Sequence, residues 1–460
     1  GINLPEKLSL DAEVKGKLDD LKAQAFLDTE LGKINFDGAF RNQAQIVFLA
    51  NIKVDQLQLG NLLDNPGLDT LTFEIQSSGS GSSINDLSAE LTSNFERLKI
   101  NGNDYSGLVL EGQMENGIGD VKLSLEDEYL NFELLTKLEL DSVNSKIDVN
   151  LDLKGADFYE LGFFPQSLRG KFLFTAQFEG NPSSFDLQTN LRDAIMVYEQ
   201  RSYPIGSLDL KAMIREDSTS LDIKSLLVNG KLRSNTSPQL LSDAIGEHLR
   251  RYLDEQDSTL LAEGDIMMNL NLTINQAPIL NQVFLQGLEK LDTAKISVDF
   301  NQRESKLDAN VDFPYLKYAG IELDSLGVRV RSDQEDLDLA FGFMKLVTGP
   351  LSMDRTYFTG ELQDSRLYFD FNSFDDDERL VHVATDIGMN GDTLSIHFSP
   401  DDLLLNKREW EIPESNEILL ASSYIHFEDF RFFRNNQELQ IRDDLDDVSD
   451  EHLSMEFKDF

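Results

Sequence analysis

The chain contains no cysteine in 460 residues, which removes disulfide frameworks, thiolate metal sites and thiol nucleophiles together. Proline is sparse and scattered, with 11 in all, so the Pro/Gly-rich linkers that join chained compact domains at regular intervals are missing. Positive charge is also scarce. Lys plus Arg number 41 against 83 Asp plus Glu, a formal charge of −42, so phosphate backbones and anionic headgroup surfaces are repelled on average and no nucleic acid partner is expected. No run approaches the roughly 18–20 apolar residues of a membrane-spanning helix. Gly1-Ile2-Asn3-Leu4 does not look like a signal peptide. Strand-like alternation starts near Lys7 and still runs at Leu453-Ser454-Met455-Glu456-Phe457, so the chain reads as an excerpt of a longer protein.

What is present is strict period-two alternation. Ile147, Val149, Leu151 and Leu153 interleave with Asp148, Asn150, Asp152 and Lys154, which places apolar groups on one face of a strand. The same signature recurs in Met268, Leu270 and Leu272 and in Ile296, Val298 and Phe300. Turn chemistry marks hairpins at Asn101-Gly102, Glu115-Asn116-Gly117, Glu179-Gly180-Asn181-Pro182 and Asn229-Gly230. Gly79-Ser80-Gly81-Ser82-Ser83 reads as a hairpin loop. The expected fold is all-β and antiparallel, because parallel α/β strands are buried on both faces and crossed by regularly spaced helices. Two segments break the pattern as short amphipathic helices: one near 238–254, opened by Ser237-Pro238 and carrying Leu241, Ile245, Leu249 and Tyr252 on one face, and one near 278–292 with Leu280, Val283, Phe284, Leu288 and Leu291. Plugging or capping an apolar opening is the first role expected of both.

A repeat of about 100 residues underlies the alternation. Leu59-Gly60 with Tyr105 is echoed by Leu161-Gly162 with Tyr203, and more loosely from Leu280 to Tyr318. The expected organisation is a partial repeat over 1–56, repeats over 57–156, 157–275 and 276–399, and the start of a distal β region over 400–460. Stacked repeats complete one another's cores, so an elongated array is expected. A long one-sided sheet cannot leave its apolar face in water. A second sheet, closure into a barrel, or curling into a trough that holds an apolar ligand would each cover it, and alternation running through the repeat junctions favours the curled groove. Its expected lining is Ile147, Val149, Leu151, Leu153, Met268, Leu270, Leu272, Ile296, Val298 and Phe300, each with a rival role as plain core.

Several stretches are similar to internal repeats of TamB-like proteins: Leu59-Gly60-Asn61-Leu62-Leu63, the Gly79 to Gly81 segment, Tyr105-Ser106-Gly107-Leu108-Val109-Leu110-Glu111-Gly112, and Asp157-Phe158-Tyr159-Glu160-Leu161-Gly162. So are Trp410 to Ile418 and Phe430 to Ile441. The likeness covers most of the chain through degenerate patterns and carries no catalytic residue. It implies a member of the AsmA-like superfamily, a periplasmic β-groove protein that carries phospholipid acyl chains between the inner and outer membranes. It also implies an inner-membrane anchor in a segment absent here, and docking on a BamA-type outer-membrane barrel through a missing carboxy-terminal region.

No enzyme chemistry stands out and no cofactor is expected. His248, His382, His397, His426 and His452 lack paired metal-ligand spacing, and no nucleophile elbow or phosphate-cradling loop occurs. The acidic runs Asp375 to Glu378 and Asp443 to Asp447 lack the spacing of an EF-hand loop. The rival expectations are an adhesin or glycan-binding module of chained β-sandwiches, for which a lone tryptophan is thin support, and a passive periplasmic spacer with a filled interior.

Overall fold

The computed structural model describes residues 5, 7–17, 19–42, 45–65, 67–105, 107–252, 264–334, 336–363, 366–390, 393–421, 424–443 and 453–459. The chain divides into two compact units, Gly1–Arg215 with Leu221–Leu226, and Glu216–Ser220 with Leu227–Phe460. The fold is all-β and antiparallel, as the alternation predicts. Among the described residues no helix is long and apolar enough to cross a membrane.

The first unit is an antiparallel meander. Strands Leu8–Lys17, Asp20–Thr29, Gly32–Asn42, Ile46–Gln58, Leu68–Gly81 and Ser88–Ile100 lie side by side in chain order. They continue through Val109–Glu115, Ile118–Glu126, Leu130–Glu139, Ser145–Asp157, Leu168–Asn181, Ser184–Tyr198 and Arg201–Ile214. Among the described residues Leu8–Lys17 pairs on one side only, so this ladder does not close into a barrel. Hairpins form where the turn chemistry predicts them: Asn116 and Gly117 take φ 51° and 76°, and Asn101 and Gly102 take 49° and 82°, the left-handed pair that a tight two-residue turn requires. One predicted turn opens later than expected, at Ser82 instead of Gly79, and another is strand. Gly79 and Gly81 lie inside Leu68–Gly81, and a Cβ at Gly79 would come within 2.6 Å of the Phe48 ring, so this glycine makes room for a facing aromatic and does not turn the chain. Asn229-Gly230 lies within strand Val228–Ser234, with Gly230 opposite Leu272.

The second unit repeats the pattern. Val228–Ser234, Met267–Ile274, Ala294–Asn301, Lys306–Tyr318, Ile321–Ser332 and Leu337–Thr348 pair in succession. Leu351–Gln363, Arg366–Asp375, Glu378–Asn390, Thr393–Phe398, Glu417–Ala421 and Tyr424–Glu428 follow. A separate three-stranded sheet, Arg431–Arg434, Gln437–Asp443 and Leu453–Lys458, ends the unit. The predicted helix near 238–254 is present as Pro238–Arg250, with Ser237 Oγ accepting from Leu240 N at its start. The second predicted helix is shorter than expected. A single π-type turn, Leu280–Phe284, is followed by a strand, Leu288–Leu291, paired with Lys306–Tyr318. The leucine spacing that suggests a helix there also buries the two ends of a four-residue strand, and Gly287 packs against the Tyr318 ring where the chain changes course.

Short inserts interrupt the ladder as a helical turn at Leu59–Leu63, as turns and bends over residues 158–164, and as the π-type turn Leu280–Phe284. In the first unit neighbouring inserts are tied together: Asn101 N donates to Gly67 O at 2.7 Å, while the Asn101 and Asn103 side chains donate to Glu160 O at 3.3 Å.

Candidate functional site

The strand registers join the alternating residues into continuous files that cross the sheet. In the first unit one face carries only apolar or small side chains. Its central row runs Val14, Ala23, Gly38, Ala50, Ser77, Leu91, Gly112, Val121, Thr136, Val149, Ala176, Thr189 and Leu210, each directly opposite the next. Eleven of these thirteen are Ala, Gly, Ser, Thr or Val. The flanking rows are bulkier over much of their length: Phe40, Phe48, Leu138, Ile147 and Phe178 on one side, interrupted by the small Gly79, Ala89 and Gly119, and Phe36, Ile52, Leu123, Leu134, Leu151 and Phe174 on the other. Small residues between large ones make a furrow perpendicular to the strands. Twelve strand spacings of about 4.8 Å give it a length of roughly 58 Å.

Most of this face is half-buried, neither sealed nor fully open. Full burial is concentrated at the strand ends. Tyr105, Leu125, Leu153, Ala156 and Leu161 close one end, with Phe132, Phe158 and Phe172 packed around them. Bulges between Leu153 and Ala156 and between Lys171 and Leu173 bend the strands there. Burial pushes the Tyr105 phenol up to about 12, and its Oη has no hydrogen-bond partner among the described residues.

The ten residues predicted to line a groove all fall on apolar faces, in two places. Ile147, Val149 and Leu151 sit half-buried beside the furrow, while Leu153 belongs to the closed end. In the second unit Leu272 and Ile296 face each other half-buried, as do Leu270 and Val298. Met268 and Phe300 form another facing pair, but helix Pro238–Arg250 lies on them: Leu241 and Ala244 pack with Met268, Phe300 and Leu307, and Leu270 and Val298 touch the same cluster. Tyr252, just past the helix, covers Leu337 and Leu362. The helix therefore caps part of the apolar face, the role expected of it, and Met268 and Phe300 are core beneath it. Beyond the helix the face is aromatic, with the Phe358 ring 5.5 Å from Phe341 and 4.7 Å from Phe371.

Sequence reasoning missed the furrow floor, since Gly38, Ala50 and Gly112 are unremarkable until register brings them into line. It also missed the cavities of the opposite face. One in the first unit, of about 1220 Å³, is lined mainly by polar-face files such as Ser78, Glu90, Gln113, Asp120, Lys137 and Asp148. Another, in the second unit, has a volume of about 700 Å³.

The described histidines and acidic residues make local ion pairs and hydrogen bonds. His382 Nε2 lies 2.8 Å from Asp370 Oδ2 and its Nδ1 lies 2.6 Å from Asp402 O; burial works against protonation, but these two oxygens win and raise its pKa. His397 and His426 pair with Asp386 and Asp443 at 2.8 and 2.9 Å. Lys407 bridges Asp375 and Glu378 at 2.6 and 2.9 Å, which offsets part of the charge of that acidic turn. His452 and Asp444 to Asp447 lie outside the described residues. Among the described residues no group of three His, Asp or Glu side chains is arranged to hold a metal ion. Compared with protein-family models, curated proteins and solved structures, the chain matches none.

Proposed function

We propose that the chain is a lipid-conducting or envelope-assembly scaffold of the TamB-like kind, which holds the acyl chains of phospholipids along its apolar faces in the periplasm and catalyses no covalent step. The observation that carries this reading is the half-buried furrow from Ala23 to Leu210, floored by small residues and walled over much of its length by Phe, Leu and Ile. Each methylene buried there contributes about 0.8 kcal/mol, so an acyl chain gains ample affinity from contact alone. A floor of similar side chains repeated from strand to strand has no single deep trap, which favours passage along the row. Bridging to an inner-membrane anchor and a BamA-type barrel belongs to the same reading and rests on the resemblance of the repeats.

The test is a photo-crosslinking amino acid placed at Val149, on the furrow, and at Asn150, its neighbour on the opposite face. Phospholipid adducts at position 149 with few at 150 are expected in protein purified from membrane-containing lysate. Equal labelling at both positions, or none at either, would remove the support for the reading.

A further inference from the structure

The second unit holds a trough on the polar face, away from the apolar surface, so the inference drawn from it does not depend on the acyl-chain reading. One register file crosses it: Arg331 faces Asp338, Asp338 faces Glu361, and Glu361 faces Tyr368. Alongside runs Arg329, Ala340, Thr359 and Asp370. The small Ala340 and Thr359 side chains, with Ala384 beyond them, leave a depression of about 700 Å³ between the longer ones, within the usual range of small-molecule sites.

The chemistry of the depression is unbalanced in a specific way. Asp338 and Glu361 are like charges directly opposite each other, an unfavourable cross-strand pair. Among the described residues neither carboxylate has a hydrogen bond or ion pair. By contrast Asp386 and Asp370, at the margin, are occupied by His397 and His382 at 2.8 Å each. The two arginines are anchored through Nε, Arg329 to Asn310 at 3.1 Å and Arg331 toward Asp308 at 3.7 Å, leaving terminal nitrogens as donors. Beside the free carboxylates the Tyr368 side chain is 48 % exposed and stacks on no other ring among the described residues.

A simple anion meets the two carboxylates there, a simple cation meets the two guanidinium groups, and no metal-binding cluster exists among the described residues. A neutral polyhydroxylated ligand suits all three features. Each hydroxyl both donates to a carboxylate and accepts from a guanidinium, and the apolar face of a sugar ring covers an exposed tyrosine. From Asp338 to Tyr368 spans two strand spacings, about 10 Å, room for more than one ring. We infer that this trough is a carbohydrate-binding site for a short neutral glycan, with Tyr368 as the stacking platform and Asp338 and Glu361 as hydroxyl acceptors.

The test is calorimetric titration of the whole chain with maltotriose, cellotriose and triacetylchitotriose, with spermidine as the cationic comparison. At least one trisaccharide is expected to bind, at least tenfold more weakly to Tyr368→Ala and several-fold more weakly to Glu361→Gln. Tyr424→Ala, which removes another exposed tyrosine of the same unit, is expected to bind like the parent. Glu361→Gln keeps the side-chain shape and decides the matter alone should Tyr368→Ala lose its fold. Binding of no trisaccharide, binding unchanged in these trough variants, or binding of spermidine alone would overturn the assignment.

Discussion

His248 on the capping helix places Nε2 2.7 Å from Ser332 Oγ on the sheet beneath it. The imidazole is 2 % exposed, packs edge-on against Tyr252 and Phe300, and has no partner for Nδ1 among the described residues. Burial is the main cause, and the nearby Arg251 guanidinium the second, of a pKa lowered to about 4. Ser332, Tyr252 and Phe300 offer the ring no negative charge that would oppose the shift.

The first prediction follows from that ring. The folded chain keeps His248 neutral, whereas the unfolded chain protonates it near pH 6.5. Its contribution is therefore intact above about pH 6.5 and is lost as pH falls toward 4, a loss on the order of 3 kcal/mol at most. Thermal melts of the parent and His248→Leu, compared at pH 7 and pH 4.5, are expected to shift in favour of the variant at the lower pH. Parallel acid profiles would show that the ring is not held neutral.

The second prediction separates the capped from the uncapped part of the apolar surface. Phe300 is 2 % exposed beneath the helix, and Phe300→Ala is expected to cost about 3–5 kcal/mol through lost burial and a cavity. Ile147 is only half-buried on the furrow wall, so Ile147→Ala should cost roughly 1–2 kcal/mol. Denaturant unfolding measures both. Equal costs would mean that the furrow is sealed as firmly as the core under the helix.

What was legible in the sequence was whatever is local. Alternation from Ile147 to Leu153 marks a strand and its inner face, Asn116-Gly117 marks a turn, and Ser237-Pro238 marks a helix start, each within a few residues. Register is not local. The Asn116-Gly117 turn sets Val121 opposite Gly112, but nothing near Gly112 reveals Leu91 on its other side, and nothing near Tyr368 reveals Glu361 beside it across a hairpin. The furrow and the polar trough were hidden for that reason. The misread segments share another cause: Gly79 and Gly230 have turn-like composition, but Gly79 lies under the Phe48 ring and Gly230 pairs with Leu272 across the ladder.

The inserts make a third prediction. Gly60 opens the first insert where a Cβ would fall 2.1 Å from Leu68 O, a backbone atom fixed by the following strand. Gly60→Ala should destabilise the first unit by about 1–3 kcal/mol, since the backbone must move. Gly155→Ala, where an added Cβ meets nothing within 4 Å, should be near neutral. Chemical denaturation of the two variants checks the pair, and a neutral Gly60→Ala would show that the insert is loosely held.

The last prediction concerns the furrow itself. Ala176 lies in the small-residue row between Val149 and Thr189, half-buried, with Phe174 and Phe178 two positions away along its own strand. A tryptophan there projects from the floor to about the height of the walls without entering the closed end. Ala176→Trp is therefore expected to leave the melting temperature within a few degrees of the parent while interrupting passage along the row. Phospholipid retained in native mass spectrometry should fall several-fold. If the chain binds acyl groups at separate stations instead of along a continuous track, retention will drop only by the share of lipid seated near that strand, and crosslinking at Val121 will persist. If lipid occupancy does not change at all, acyl chains do not use this row, and the small residues serve only to let the sheet bend.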